Sequence, residues 1–175
     1  MGDLFDLKGN VAIVTGCSTG LGVQMAKALA RQGCNIVAVA RRQNLIEEVA
    51  ADLAKEYGVE TLAVRCDITD TEMVENAVKT VMDRFGRIDI LINNAGTGAV
   101  APAEDITDDQ FMNELNIDLF GTFKMARAVA KQAMIPMERY GDEGELDTAA
   151  IFLASPATTY VTGVALPVDG GYTSM

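Results

Sequence analysis

Histidine is missing from all 175 residues, and so is tryptophan. Without an imidazole, Ser-His-Asp and Cys-His catalysis fall away, together with histidine-ligated metals. Acid–base work must then come from Tyr, Lys, Asp or Glu. Cysteine is scarce: Cys17, Cys34 and Cys66 are odd in number and widely spaced. That argues against a disulfide framework and against a zinc site, so no metal is expected. Cys34 and Cys66 adjoin apolar runs and read as small core residues. Positive charge is short as well, with 14 Lys and Arg against 25 Asp and Glu, a net charge of −11 and no basic run. Nucleic acid and anionic membrane are therefore poor partners. No apolar run reaches bilayer length, and no early stretch joins a charged segment to an apolar one and a small-residue cleavage site. A cytoplasmic location is expected.

What is present suits one folded domain. Apolar residues make up 49% of the chain and glycine is frequent, a globular composition long enough for a real core. "NVAIVTG" is a β-branched run that reads as a buried strand, and Leu21 to Gln32 follows as a helix closed by Gly33. "NIVAVA" is a second strand, Gln43 to Tyr57 a helix ended by Gly58, and "TLAVRC" a third strand. Thr69 with Glu72 forms a capping box that opens a helix to Phe85 and Gly86. "IDILIN" is a fourth strand. Thr107 with Gln110 forms a second capping box, opening a long helix to about Ala133. Strands apolar throughout, alternating with helices of ten to fifteen residues, predict an α/β doubly wound Rossmann-type parallel sheet. The crossover rule orders its first four strands 3-2-1-4. Near the end, "GELDTAAIFLAS" reads as a helix with Leu146, Ala150 and Leu153 at helical spacing, and "GVALPVDGG" reads as a final strand.

Between the first strand and first helix stands "TGCSTGLG". Backbone without Cβ atoms can approach a pyrophosphate, and the helix start offers N–H groups and the positive end of a dipole. Ser18 and Thr19 add hydroxyl donors. In its strand–turn–helix context the motif points to a dinucleotide held by Gly16, Ser18, Thr19, Gly20, Leu21 and Gly22. An acid at the tip of the second strand would bind a ribose 2′-OH and favour NAD. Here the tip is Ala40, followed by Arg41 and Arg42, so two guanidiniums are available for a 2′-phosphate. NADP is expected, with NAD the weaker choice. Arg41 is the stronger candidate; Arg42 also reads as an ordinary solvated residue at a helix start.

"TGCSTGLG", "CDIT" and "NNAG", at their mutual spacing, resemble the short-chain dehydrogenases/reductases, with a general similarity to bacterial gluconate 5-dehydrogenases and hydroxysteroid dehydrogenases. "NNAG" directly after the fourth strand is the most specific of the three. The resemblance runs from Leu4 to about Met134 and resumes from Ile135 to Tyr172, which divides a single Rossmann-like domain into a dinucleotide-binding part (1–134) and a closing helix and strand (135–175). It implies that Asp67 contacts the adenine with Ile68 beside it, that Asn93, Ala95 and Gly96 line the cofactor and steady the sheet, and that Arg41 selects NADP. Asp67 also reads as a loop acid near a helix start, and Asn93 and Asn94 as turn formers. The implied activity is hydride transfer between NADP(H) and a secondary alcohol or ketone, in a homo-oligomer whose tail packs across a subunit interface.

Family chemistry needs a Tyr with a Lys four residues later, on one helix face, plus a Ser and an Asn. Tyr57 is followed at that spacing by Thr61, Tyr140 by Gly144 and Tyr160 by Val164, and Tyr172 has no residue there. The pair is absent. The Ser-bearing strand and the turn leading to the substrate loop are absent too, so strands five and six are expected to be missing. The resemblance places Asp118 at the position of the family's Asn, as a candidate to hold a water in the proton relay; it also reads as a plain polar residue on a helix. The shortfall falls at "KQAMIPMERYGDEGE", which reads as a seam and not as an ordinary helix and loop. Three readings stay open: a deletion from a working enzyme, a middle segment left out of the numbering, or a natural short product that binds nucleotide without catalysis.

Overall fold

The computed structural model describes residues 5–98, 101–132, 144, 146–155, 158, 161 and 166. They belong to two compact units, Phe5–Ala133 and a second that takes in Met134–Met175. In the first, β1 (Val11–Thr15) leads to α1 (Leu21–Arg31), β2 (Asn35–Ala40), α2 (Gln43–Tyr57), β3 (Thr61–Arg65), α3 (Thr71–Phe85) and β4 (Ile90–Ile92). A short 3-10 turn (Ala103–Asp105) precedes α4 (Asp108–Glu114), a π-helical segment (Leu115–Gly121) and α5 (Thr122–Gln132). The second unit contributes α6 (Asp147–Ala154).

Among the described residues the sheet has four strands in the order β3-β2-β1-β4, all parallel. Every residue of β1 is buried, as both faces of a central parallel strand must be. Strand alternation divides those residues between two cores. Val11 and Ile13 join Val37, Val39, Val74, Val78, Val81 and Met125 on the face covered by α3 and α5. Ala12 and Val14 join Ile36, Ala38, Ala26, Ala30, Ile46 and Leu53 on the face covered by α1 and α2. The helix α1 buries Gly22, Ala26 and Ala30, a stripe of small residues four apart that lets it lie close on the sheet.

The helix ends follow the sequence closely. Gly58 and Gly86 close α2 and α3 with φ of 68° and 71°, left-handed conformations that glycine adopts without a Cβ penalty. Gly33 follows Gln32, the C-cap of α1, with φ 85°. Thr107 and Gln110 form the expected capping box at α4. The box expected at Thr69 is not formed. Asp70 caps α3 by accepting from the Met73 N–H, while Thr69 gives its backbone N–H and hydroxyl to Asp67 Oδ1. An acid one residue nearer the helix is the better acceptor for those first N–H groups. The long helix expected from Thr107 runs to Gln132, but its middle widens to the π form.

In α6 the helix expected from "GELDTAAIFLAS" is present, and none of its residues is buried. Apart from Leu166, the final strand expected in residues 163–171 lies outside the described residues, as do Tyr140 and most of the seam.

Candidate nucleotide site

The loops at the carboxyl ends of the four strands meet around a cavity of about 470 Å³. Gly16, Ser18 and Thr19 come from the turn after β1, and Val39, Ala40, Arg41 and Arg42 from the end of β2. Cys66, Asp67 and Ile68 follow β3; Asn94, Ala95, Gly96 and Thr97 follow β4; Ile117 comes from the π segment. In an open α/β sheet this is where ligands bind, outside the strand ends and at the switch point of the strand order.

A knot beneath the cavity joins the turn after β1 to the loop after β4. Thr15 is fully buried. Its Oγ1 accepts from the Asn94 and Ala95 N–H groups, both at 3.0 Å, and donates to the Ile92 carbonyl at 3.3 Å. Asn94 Nδ2 donates to the Thr15 and Gly16 carbonyls at 3.0 and 3.4 Å. The same approach explains two glycines. A Cβ on Gly16 would lie 2.9 Å from Ala95 Cα, and one on Gly22 would lie 2.5 Å from the Gly16 carbonyl oxygen.

The starts of α1 and α2 at the cavity differ from those of α3 and α4. At α1 the N-cap is Gly20 and at α2 it is Arg42; neither has a side-chain cap, and neither helix has an acid in its first turn. By contrast α3 and α4 are capped by Asp70 and Thr107 and carry Glu72, Asp108 and Asp109 in their first turns. Uncapped N–H groups without local carboxylates leave a positive dipole end for an external anion. Arg42 adds to this: its Nη2–H donates to Ser18 Oγ at 2.8 Å and reaches Thr19 Oγ1 at 3.4 Å. Despite the chain's acidity, this corner is cationic.

At the β3 end, burial pushes the Asp67 carboxyl up, but the Thr69 hydrogen bonds and the charges of Arg41 and Lys124 outweigh it and hold Asp67 below the ordinary carboxylate range. Asp67 is therefore anionic at neutral pH. The local role expected of it as a loop acid and its place in the cavity wall hold together. Lys124 Nζ donates to the Thr69 carbonyl, tying α5 to this loop. Gly121 lets the π segment come close here, since a Cβ on it would lie 2.7 Å from Ile68 Cδ1. In the middle of the segment, Asp118 Oδ1 accepts from the Thr97 N–H at 3.0 Å.

Of the residues expected to hold a dinucleotide, Gly16, Ser18, Thr19, Arg41, Asp67, Ile68, Ala95 and Gly96 line the one cavity. The other four stand behind it or beside it. Gly20 and Gly22 shape the start of α1, Leu21 is exposed, and Asn93 Nδ2 donates to the Thr122 carbonyl at 3.5 Å. Arg42, Asn94, Thr97 and Ile117 join the lining. Arg42 was legible as the second cation after β2, whereas Thr97 and Ile117 carry no signal of their own. Among the described residues no group of His, Cys, Asp or Glu could hold a metal ion, and no helix is long and apolar enough to cross a membrane.

A parallel sheet in this order, with a glycine turn and "NNAG" meeting at its switch point, defines a nucleotide-binding fold of dehydrogenase type. The chain belongs to the short chain dehydrogenase family, which matches residues 10–158. It is 40% identical to the D-threitol dehydrogenase of Mycolicibacterium smegmatis over 130 residues, 74% of this chain and 50% of that protein. It is 28% identical to a probable NADP-dependent mannitol dehydrogenase of Yarrowia lipolytica over 248 residues, 96% of this chain and 89% of the relative. That alignment is longer than the 175-residue chain, so part of the relative has no counterpart here. Among solved structures, L-sorbose reductase from Gluconobacter frateurii, complexed with NADPH and L-sorbose, superposes with a TM-score of 0.69 at 33% identity, over 73% of this chain and 49% of that one. The chain thus spans about half the length of the threitol dehydrogenase and the sorbose reductase.

Proposed function

We propose that this chain binds NADP(H) in the cavity at the strand ends, and that the full-length parent is an oxidoreductase transferring a hydride between NADP(H) and a secondary alcohol or ketone. One observation carries the binding reading: two uncapped helix starts and two arginines converge on one cavity, while α3 and α4 in the same unit have their own caps and acids. The residues fit a dinucleotide carrying a 2′-phosphate. The start of α1, with Ser18 and Thr19, would receive the pyrophosphate. Arg41 and Arg42, at the β2 tip where an NAD enzyme has an acid, would receive the 2′-phosphate. Asp67 and Ile68 would wall the adenine, and Ala95 and Gly96 the nicotinamide half. When bound, the cofactor would supply the hydride. The sorbose reductase with its NADPH and the mannitol dehydrogenase support NADP, and together with the threitol dehydrogenase they favour polyol or ketose substrates for the parent.

A second reading concerns this chain by itself. It has no Tyr with a Lys four residues on, so the proton-transfer pair of the family is lacking. The chain is then a nucleotide-binding protein with little or no turnover. Calorimetric titration with NADPH and NADH tests the first reading: NADPH should bind, and more tightly than NADH. Absence of affinity for either overturns it. Following NADPH absorbance with a panel of ketones and ketoses, on chain verified by intact mass, tests the second. Robust turnover overturns that one alone.

A further inference from the structure

We infer that Asp118 is a specificity-determining residue that makes the site prefer the oxidised cofactor to the reduced one. The inference rests on the proposed NADP(H) binding. It begins with direction. The adenosine half of a dinucleotide lies over the β1-β2-β3 half of such a sheet, and the pyrophosphate sits at the start of α1. The nicotinamide half must then continue across the switch point toward the loop after β4. That loop supplies Gly96 and Thr97 to the cavity wall, and the π segment supplies Ile117.

Asp118 stands directly behind this end. Its Oδ1 accepts from the Thr97 N–H at 3.0 Å and lies 3.2 Å from the position a Cβ on Gly96 would take. Gly96 has no side chain to separate the carboxylate from the cavity. Among the described residues, the ion pairs join other groups, and neither Lys nor Arg pairs with Asp118. Its negative charge is therefore not cancelled by a contact partner.

The two redox forms of the cofactor differ at this end only. The oxidised nicotinamide ring carries a positive charge, and the reduced ring is neutral. A carboxylate beside the ring attracts the oxidised form and is indifferent to the reduced one. Selectivity between two states requires a differential interaction of this kind. Asp118 is solvent-exposed, so the attraction is screened and its expected size is modest, about threefold to tenfold in relative affinity.

Asp118→Asn separates charge from geometry, because the amide oxygen can still accept from Thr97. Dissociation constants for NADP+ and NADPH are measured by titration on the full chain, wild type and Asp118→Asn, with circular dichroism to compare folding. The variant should bind NADP+ about threefold to tenfold more weakly and leave NADPH within about twofold. In the wild type, the dissociation constant for NADPH divided by that for NADP+ should fall as salt is raised, a measurement that needs no variant. Equal losses for both forms, or a ratio indifferent to salt, overturn the assignment while leaving NADP(H) binding intact. If the wild type binds neither form, the proposed cofactor and this role fall together.

Discussion

Thr15, at the end of β1, and Asn94, in the loop after β4 and 79 residues further along the chain, are joined by two hydrogen bonds that Asn94 donates: its N–H to Thr15 Oγ1 and its Nδ2 to the Thr15 carbonyl. The hydroxyl also receives the Ala95 N–H. Replacing Thr15 by Val keeps the shape and leaves two backbone N–H groups without their acceptor. The cost should be about 2–4 kcal/mol, seen as an earlier denaturant midpoint. An unchanged midpoint would show that water or a shifted loop satisfies those groups.

Gly22 makes a sharper steric prediction. Any Cβ there would meet the Gly16 carbonyl oxygen at 2.5 Å and Asn94 Nδ2 at 2.7 Å. Backbone cannot swing away as a side-chain tip can. Gly22→Ala should lose about 1–3 kcal/mol of stability and weaken nucleotide binding with it. Gly20→Ala is the useful contrast. Its Cβ would meet nothing within 4 Å, so any loss there comes from backbone strain at φ 64°. Equal steric and strain losses at the two sites would remove the packing argument for Gly22.

These two positions also show what could be read in advance. Uniformly apolar strands, a glycine after each of the first three helices and "NNAG" after β4 are local patterns, and each led to the right element. The choice between Thr69 and Asp70 as cap was not settled by the capping-box spacing. It turned on Asp67, whose carboxylate takes both Thr69 donors. The contact Arg42 makes was not legible either: its reach to Ser18 depends on how α2 leaves β2, a direction that residue spacing does not encode. The π segment was illegible altogether. Its seven residues read as ordinary helix, and the widening accompanies two tertiary contacts, Gly121 on Ile68 and Asp118 on Thr97.

The Asp89 carboxylate should give the chain a specific acid sensitivity. Burial pushes its pKa up, but the Arg87 hydrogen bonds, the Val11 N–H at 2.8 Å and the Arg87 charge outweigh that and hold it below the ordinary value. A carboxyl depressed in the folded state stabilises the protein above its unfolded pKa, about 3.9 for Asp. That stability is lost as pH falls through the lower folded value. Asp89→Asn should therefore be less stable than wild type at pH 7, and the gap should close in strong acid. A gap that stays constant from pH 7 to pH 2 would assign the loss to packing instead of charge.

The three thiols should be inert in the folded chain. Burial raises Cys17 and Cys34 to about 11 and Cys66 to about 12, with Asp89 adding to the effect at Cys34 and Asp67 and Asp70 at Cys66. Thiolate is the reactive form, and at pH 8 little of it is present at any of the three sites. A thiol-specific chromogenic reagent should find no fast-reacting group until denaturant is added, and then three. One fast thiol in native conditions would show that the cavity opens at Cys66, which lines it, or that the turn at Cys17 unfolds locally.

On the proposed site Arg41 and Arg42 both meet the 2′-phosphate, and single substitutions should separate their parts. Arg41 lines the cavity beside Asp67 and adds to the charge that keeps Asp67 ionised. Arg42 is already held against Ser18, so its guanidinium is positioned before any phosphate arrives. Less ordering is then required of it on binding. Arg41→Ala and Arg42→Ala should each weaken NADP by about tenfold or more and NAD by much less, because only NADP carries the charge they meet. Arg42→Lys should recover only part of the loss, since an ammonium lacks the planar fork that reaches Ser18 and a phosphate oxygen together. Equal losses of NADP and NAD in either alanine variant would remove that arginine from the selection of cofactor and leave it a role in shaping the turn.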